Sequence, residues 1–196
     1  DDASGLSSIL YVLRKYKIPA TFFINGEFIR RYPKETVQIA KSGYECGSMF
    51  FTALDLTSKD FVVDEDFVRR GLARNEDEFF QATGKELSLL WHAPFYKADF
   101  EVKKAGKNCG YSYVEAGRFS LDTITLEEAA RGKPGYLSAL ELVSLYAQNL
   151  EDGSVIPVCA GLSKGTRSDW LYEKLDLLVS LLLSNGYEFV AFNESL

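Results

Sequence analysis

The chain switches repeatedly between two hydrophobic periods. Leu6, Ile9, Leu10 and Leu13 recur at the spacing that lines one face of a helix, and Pro19 forbids continuation, so a first helix ends near Lys17. ATFFIN (20–25) is a β-branched and aromatic run closed by Asn25-Gly26, the composition of a buried strand. Pro33, a favoured first-turn residue, opens a second helix that stops at Gly43, and YECGS (44–48) reads as another short strand. A helix over 64–82 carries Phe67, Val68, Leu72 and Phe79 inward, and a strand in LSLLWHAPF (87–95) breaks at Pro94. Helix 98–107, strand YSYVE (111–115), a loop over 126–135, helix 138–150, strand SVIPV (154–158), helix 169–184 and a closing strand YEFVAF (187–192) complete the pattern. Strands separated by helices pair in parallel through right-handed crossovers, so the fold class is α/β.

Composition narrows the function. The chain has 196 residues, 46% hydrophobic and 26% charged, enough to bury one sizeable core. A formal net charge of −6 and a pI near 5.0 argue against nucleic acid and acidic membrane surfaces, both of which need clustered Lys and Arg. Cys46, Cys109 and Cys159 are odd in number and widely spaced, which suggests buried free thiols and neither a disulfide framework nor a zinc knuckle. No apolar run reaches the length of a membrane span.

The loop GSMFFTALDLT (47–57) is oddly apolar for a place where α/β folds put chemistry. Met49, Phe50, Phe51 and Ala53 offer no acid, base or hard-metal donor. Phe50, Phe51 and Trp91 are either apolar faces for a sugar ring or core residues.

Several stretches, taken in order, resemble one family. DDASGLSSILYVLRKYKIPATFFINGEFIRRYP is similar to the opening of the polysaccharide deacetylase family, the NodB-homology domain of family 4 carbohydrate esterases. SGYECGSMFFTALDLT resembles its stretch with two metal-binding histidines four residues apart, and LLWHAPFY its Arg-x-Pro-Tyr segment. GSVIPVCAG resembles the segment ending in Leu-His-Asp, and LLLSNGYEFVAF the final helix and strand. The resemblance implies a distorted (β/α) barrel whose groove lies at the C-terminal strand ends. It also implies a first strand just before Asp1 that this sequence lacks, and one domain spanning 1–196 within a longer chain.

The same resemblance implies which positions carry chemistry. The family removes N-acetyl groups with a divalent ion such as zinc, held by an Asp and two His, leaving positions open for water and substrate. Asp2 matches the Asp ligand, but the histidine positions fall on Met49 and Ala53. Asp1 matches the catalytic base, His92 replaces its orienting Arg, and Cys159 stands at the general acid. Phe95 takes the Tyr position, where the backbone N–H still suits an oxyanion, and Asp122 loosely matches an aspartate of a later loop. His92, the only histidine, is expected to line the groove, hydrogen-bonded to a carboxylate such as Asp1. A catalytic role, or a substitute metal site with Asp1 and Asp2, are the sharper alternatives. A cysteine nucleophile lacks a second histidine to activate it.

The expectation is therefore a polysaccharide deacetylase-like domain without metal-dependent N-deacetylase activity and without a cofactor. It would be retained to bind an N-acetylated polysaccharide, to contact another domain of its parent chain, or as a structural module. Its site would be a vestigial groove bordered by Asp1, Asp2, Met49, Ala53, His92, Phe95 and Cys159. The alternative is an active N-acetylglucosamine polymer deacetylase with atypical ligands. An open, doubly wound α/β domain binding a small ligand is a third reading, but no glycine fingerprint follows any strand. An extracytoplasmic location is implied by the resemblance alone.

Overall fold

The computed structural model describes residues 2–117, 122–133, 135–162 and 165–192. In chain order the elements are α1 (Leu6–Tyr16), β1 (Thr21–Ile24), α2 (Gly26–Arg31), α3 (Pro33–Lys41), β2 (Glu45–Ser48), α4 (Glu65–Thr83), β3 (Leu90–Trp91), α5 (Phe100–Asn108), β4 (Ser112–Tyr113), α6 (Leu126–Ala130), α7 (Ala139–Asn149) and α8 (Leu175–Ser184). Single turns of tighter helix occupy Pro94–Tyr96 and Leu171–Lys174. The chain divides into two compact units, Ala20–Glu115 and the described residues of Asp1–Pro19 with Ala116–Leu196.

The unit Ala20–Glu115 holds the sheet. Its strands run in the order β1-β2-β3-β4, every neighbouring pair parallel, with Thr21 opposite Glu45 and Ser48 opposite Trp91. Parallel strands need helical crossovers, and the sequence supplies them with explicit caps. The Asn25 side chain accepts from Phe28 N–H to start α2, Asp64 from Phe67 N–H to start α4, and Asp99 from Val102 N–H to start α5. Val68, Leu72, Asn75 and Phe79 are the buried stripe of α4. Val68 and Leu72 join Phe50, Leu56, Trp91, Val102, Ala105 and Tyr111 in one apolar cluster. Helix α2 was not expected, because Asn25-Gly26 reads equally as a strand stop and is here a helix cap.

The other unit is helical in its described residues. Helix α1 buries Leu6, Ile9, Leu10, Val12 and Leu13 and ends at Lys17, which takes the left-handed conformation (φ 53°) that closes helices. It packs on α8, as does α7, and Lys15 Nζ reaches Asp176 at 2.6 Å. Two expectations need correction here. The expected loop over 126–135 begins with α6, because Thr125 and Glu128 form a reciprocal capping box that satisfies the first free N–H groups. The segments 154–158 and 187–192 are not strands, since β-propensity yields a strand only where a neighbour supplies the ladder. Pro157 also lacks an N–H, and Val155 C=O instead faces Gly117, where a Cβ would stand 2.1 Å away.

Candidate functional site

The loops leaving β2 and β3 lie side by side because His92 N–H donates to Ser48 C=O at 3.1 Å, one residue beyond the Ser48–Trp91 pairing. The β2 loop is fixed from both directions. Met49 N–H donates to Ile24 C=O, Glu27 N–H to Phe51 C=O, and Ala53 N–H to the Glu27 carboxylate. Asn75, wholly buried on α4, donates through Nδ2 to Ile24 C=O at 2.9 Å and to Ser48 Oγ at 2.8 Å, while Ser48 Oγ accepts from Phe50 N–H. Sequence reasoning missed Asn75. Its signal was a polar residue on the apolar stripe of α4.

The aromatic residues of this loop point into the protein. Phe50 is 2% exposed and seated against Gly71 of α4, where a Cβ would stand 1.9 Å from the ring. Its ring stacks on Phe67 at 5.9 Å. Phe51 fills the space over Gly26 and lies beneath the Arg74 guanidinium, 3.8 Å from the ring centre. Trp91 is fully buried against Gly106. The option of Phe50, Phe51 and Trp91 as faces for a sugar ring is therefore corrected: all three are core residues. Met49 and Ala53 are half-buried. Their thioether and methyl give a divalent ion of the kind the family uses no oxygen or imidazole donor at positions 49 and 53.

The β3 loop is built differently. His92 is 5% exposed, its ring stacked on Tyr96 at 4.3 Å and edge-on to Phe23 at 4.7 Å. Nδ1 lies 2.9 Å from Ala93 C=O, and since a carbonyl only accepts, Nδ1 carries the proton. Burial holds this imidazole down to about 4, so it is neutral at pH 7. The expected groove-lining histidine is thus corrected to a buried ring whose Nδ1 pairs with a backbone carbonyl, while the expected pairing with Asp1 falls outside the described residues. Phe95, by contrast, is 59% exposed. Lys97 Nζ pairs with the Asp55 carboxylate at 2.5 Å, tying the two loops together.

In the other unit, the structure brings Asp122, Cys159, Gly161 and Asp2 into one chain of contacts. Asp122 Oδ2 accepts from Cys159 N–H at 2.6 Å, and Cys159 Sγ lies 3.4 Å from Gly161 C=O. Asp2 N–H donates to Gly161 C=O, and Asp2 Oδ1 accepts from Ser4 N–H at 2.8 Å. Burial pushes Asp122 up to about 6, partly offset by the Cys159 N–H and by Arg167. Burial and the neighbouring Asp122 push the Cys159 thiol up to about 12, so at neutral pH it is a thiol and neither a nucleophile nor a thiolate ligand. Asp1 lies outside the described residues. Among the described residues no three His, Cys, Asp or Glu side chains converge as a metal site.

The family model for polysaccharide deacetylase matches residues 1–114, more than half of the chain. The chain belongs to the polysaccharide deacetylase family. This family member is 26% identical to the peptidoglycan-N-acetylglucosamine deacetylase of Bacillus cereus over 196 residues, all of this chain and 83% of that protein. It is 29% identical to the peptidoglycan-N-acetylmuramic acid deacetylase PdaA of Bacillus subtilis over 54% of this chain, and spans only 39% of that relative's length. Among solved structures it resembles a CE4 family pseudoenzyme from Bacillus anthracis, with a TM-score of 0.72 at 19% identity, covering 97% of this chain and 59% of that one. A mutant of that pseudoenzyme with restored enzymatic activity has also been solved. At this identity the likeness shows the fold, the α/β fold of NodB-type domains. No helix among the described residues is long and apolar enough to cross a membrane.

Proposed function

We propose that this domain has no metal-dependent N-deacetylase activity and is retained as a module that binds a glycan or contacts a neighbouring domain. The observation that carries this reading is the β2 loop. Where the family places two ligand histidines stand Met49 and Ala53, and the aromatic side chains beside them pin the loop to α2 and α4. On this reading Asp2 is the one retained ligand position, and a single carboxylate is far short of the three protein donors a catalytic zinc needs. Its Oδ1 meanwhile takes up Ser4 N–H at the start of α1. The family's site positions fall, on the same reading, on Met49, Ala53, His92 and Phe95 in Ala20–Glu115, with His92 buried, and on Asp1, Asp2 and Cys159 in the other unit. On this reading the domain works outside the cytoplasm, which the peptidoglycan deacetylases among its relatives support.

Metal analysis of protein purified without a histidine tag tests the reading, with acetate release from N-acetylglucosamine oligomers measured alongside. Far less than one zinc per chain and no acetate are expected. Stoichiometric zinc with chelator-sensitive acetate release would overturn it. Restoring the donors with Met49→His and Ala53→His should create a zinc-dependent rise in thermal stability that the parent protein lacks, whatever becomes of activity.

A further inference from the structure

Arg30, Arg31, Arg69, Arg70 and Arg74 all lie on α2 and α4, a concentration of positive charge in a chain whose net charge is −6. Arg30 grips Glu78 through two parallel bonds, Nε to Oε1 at 2.9 Å and Nη2 to Oε2 at 2.7 Å. Arg69 and Arg70 both reach Asp66. Arg74 is exposed and differs. Asp77 and Glu78 stand three and four residues further along α4, the ordinary spacing of a helical ion pair, yet Arg74 hydrogen-bonds to neither. Its guanidinium carbon instead lies 3.8 Å from the centre of the Phe51 ring, which places the group directly over the face of the ring. Among the described residues its N–H groups have no hydrogen-bond acceptor.

A guanidinium over an aromatic face uses its own flat side, and its five N–H donors remain at the edge. The same ring shows what such an edge can hold. Arg30 also lies over Phe51, 5.0 Å from its centre, and its edge takes the Glu78 carboxylate in a two-point fork. Arg74 repeats the stacking closer to the ring, and no described carboxylate pairs with its edge. Its support is fixed: Phe51 is 7% exposed, fills the space over Gly26, and its C=O accepts from Glu27 N–H at 3.2 Å. A guanidinium already held by a ring loses less freedom on meeting a partner than a free side chain would. Phe51 offers a sugar no face, being buried with guanidiniums laid on it. The surface presents charge in a planar fork.

We propose that Arg74 anchors a carboxylate of an acidic peptide segment on a partner domain. This rests on the reading of the chain as a module that contacts a neighbour. A planar two-point donor suits a carboxylate, and arginine beside an aromatic ring is the composition in which contact energy concentrates at protein interfaces. The net charge of −6 does not prevent it, because at physiological ionic strength exposed charges more than about 8 Å away are largely screened.

The test uses the whole chain at physiological salt, with Arg74→Gln, Arg74→Lys and, as a charge-matched control on α1, Arg14→Gln. Each is titrated with octaglutamate and with a glucuronate oligomer of equal charge, and each is unfolded by heat. The parent should bind octaglutamate, and Arg74→Gln should weaken it about tenfold. Arg74→Lys keeps the charge but not the fork, so it should weaken binding by about threefold or more. Arg14→Gln should leave binding unchanged. Because Arg74 is exposed, Tm should stay within about 3 °C of the parent in every variant, which separates lost binding from lost fold. Full affinity in Arg74→Lys, or an equal loss in Arg14→Gln, would reduce the effect to net charge and overturn the fork. Tighter Arg74-dependent binding of the glucuronate oligomer would assign the site to an acidic glycan instead. A dimer of the parent that Arg74→Gln dissolves would assign it to a second copy. Absence of octaglutamate binding by the parent at about 10 mM overturns the inference while leaving the metal and acetate results, which test the silent-module reading, untouched.

Discussion

Phe50 and Phe95 sit on neighbouring loops after β2 and β3, with φ of 64° and 58°, yet one ring is 2% exposed and the other 59%. The same backbone strain therefore has two meanings. On the β2 loop it turns an aromatic side chain into a slot that Gly71 leaves open, and burial compensates it many times over. On the β3 loop it turns an aromatic side chain toward solvent, and stability alone gives no reason for it. One loop behaves as part of the core, the other as a presented surface.

The largest effect that tests this contrast is Phe50→Ala, which should cost about 3 to 4 kcal/mol in urea unfolding, since it empties a closed site. A loss below about 1 kcal/mol would show that the β2 loop is not anchored by packing. Acid should act on the β3 loop, where the neutral His92 lies beneath the turn. Its folded pKa, about 4, lies below the ordinary 6.5, so its contribution is fully present above pH 6.5 and is lost as pH falls through 4. At pH 4.5 this amounts to about 2 kcal/mol relative to pH 7. Asp122 titrates with the opposite sign, its folded pKa of about 6 favouring the protonated fold, so the histidine effect is read as the difference between the parent and His92→Phe across that range. An identical pH dependence in the two proteins would exclude it.

Asn75→Ala should follow at about 1 to 2 kcal/mol, because Ile24 C=O and Ser48 Oγ lose their buried donor, while the unpartnered Asn75 Oδ1 limits the loss. Faster amide exchange at Met49 and Phe50, with exchange at Tyr96 and Lys97 unchanged, would confine its role to the β2 loop. Smallest of all is Phe95→Ala, expected within about 0.5 kcal/mol of the parent in the same urea experiment. A larger loss would mean the two rings are not the opposites that their exposure suggests.

Much of this could be read along the chain. The stripe Val68, Leu72 and Phe79 announced α4, Pro33 announced α3, and the alternation of strand and helix announced parallel pairing. That Met49, Ala53 and Cys159 carry neither carboxylate nor imidazole was likewise legible, since residue identity needs no coordinates. Short elements were not: α2 and α6 span six and five residues and rest on the Asn25 cap and on the Thr125–Glu128 capping box. The β-rich composition of 187–192 announced a strand that the described fold does not form.

By itself, then, the sequence determined the α/β class, the course of the long helices and which donor atoms are present at each position, because these depend on local periodicity and on side-chain chemistry. Tertiary structure decided which aromatic rings are core and which are surface, because in a loop the side-chain direction follows the local backbone angles and the space a neighbouring helix leaves open. Phe50, Phe51 and Phe95 are alike as letters, and only Gly71, Gly26 and open solvent distinguish them.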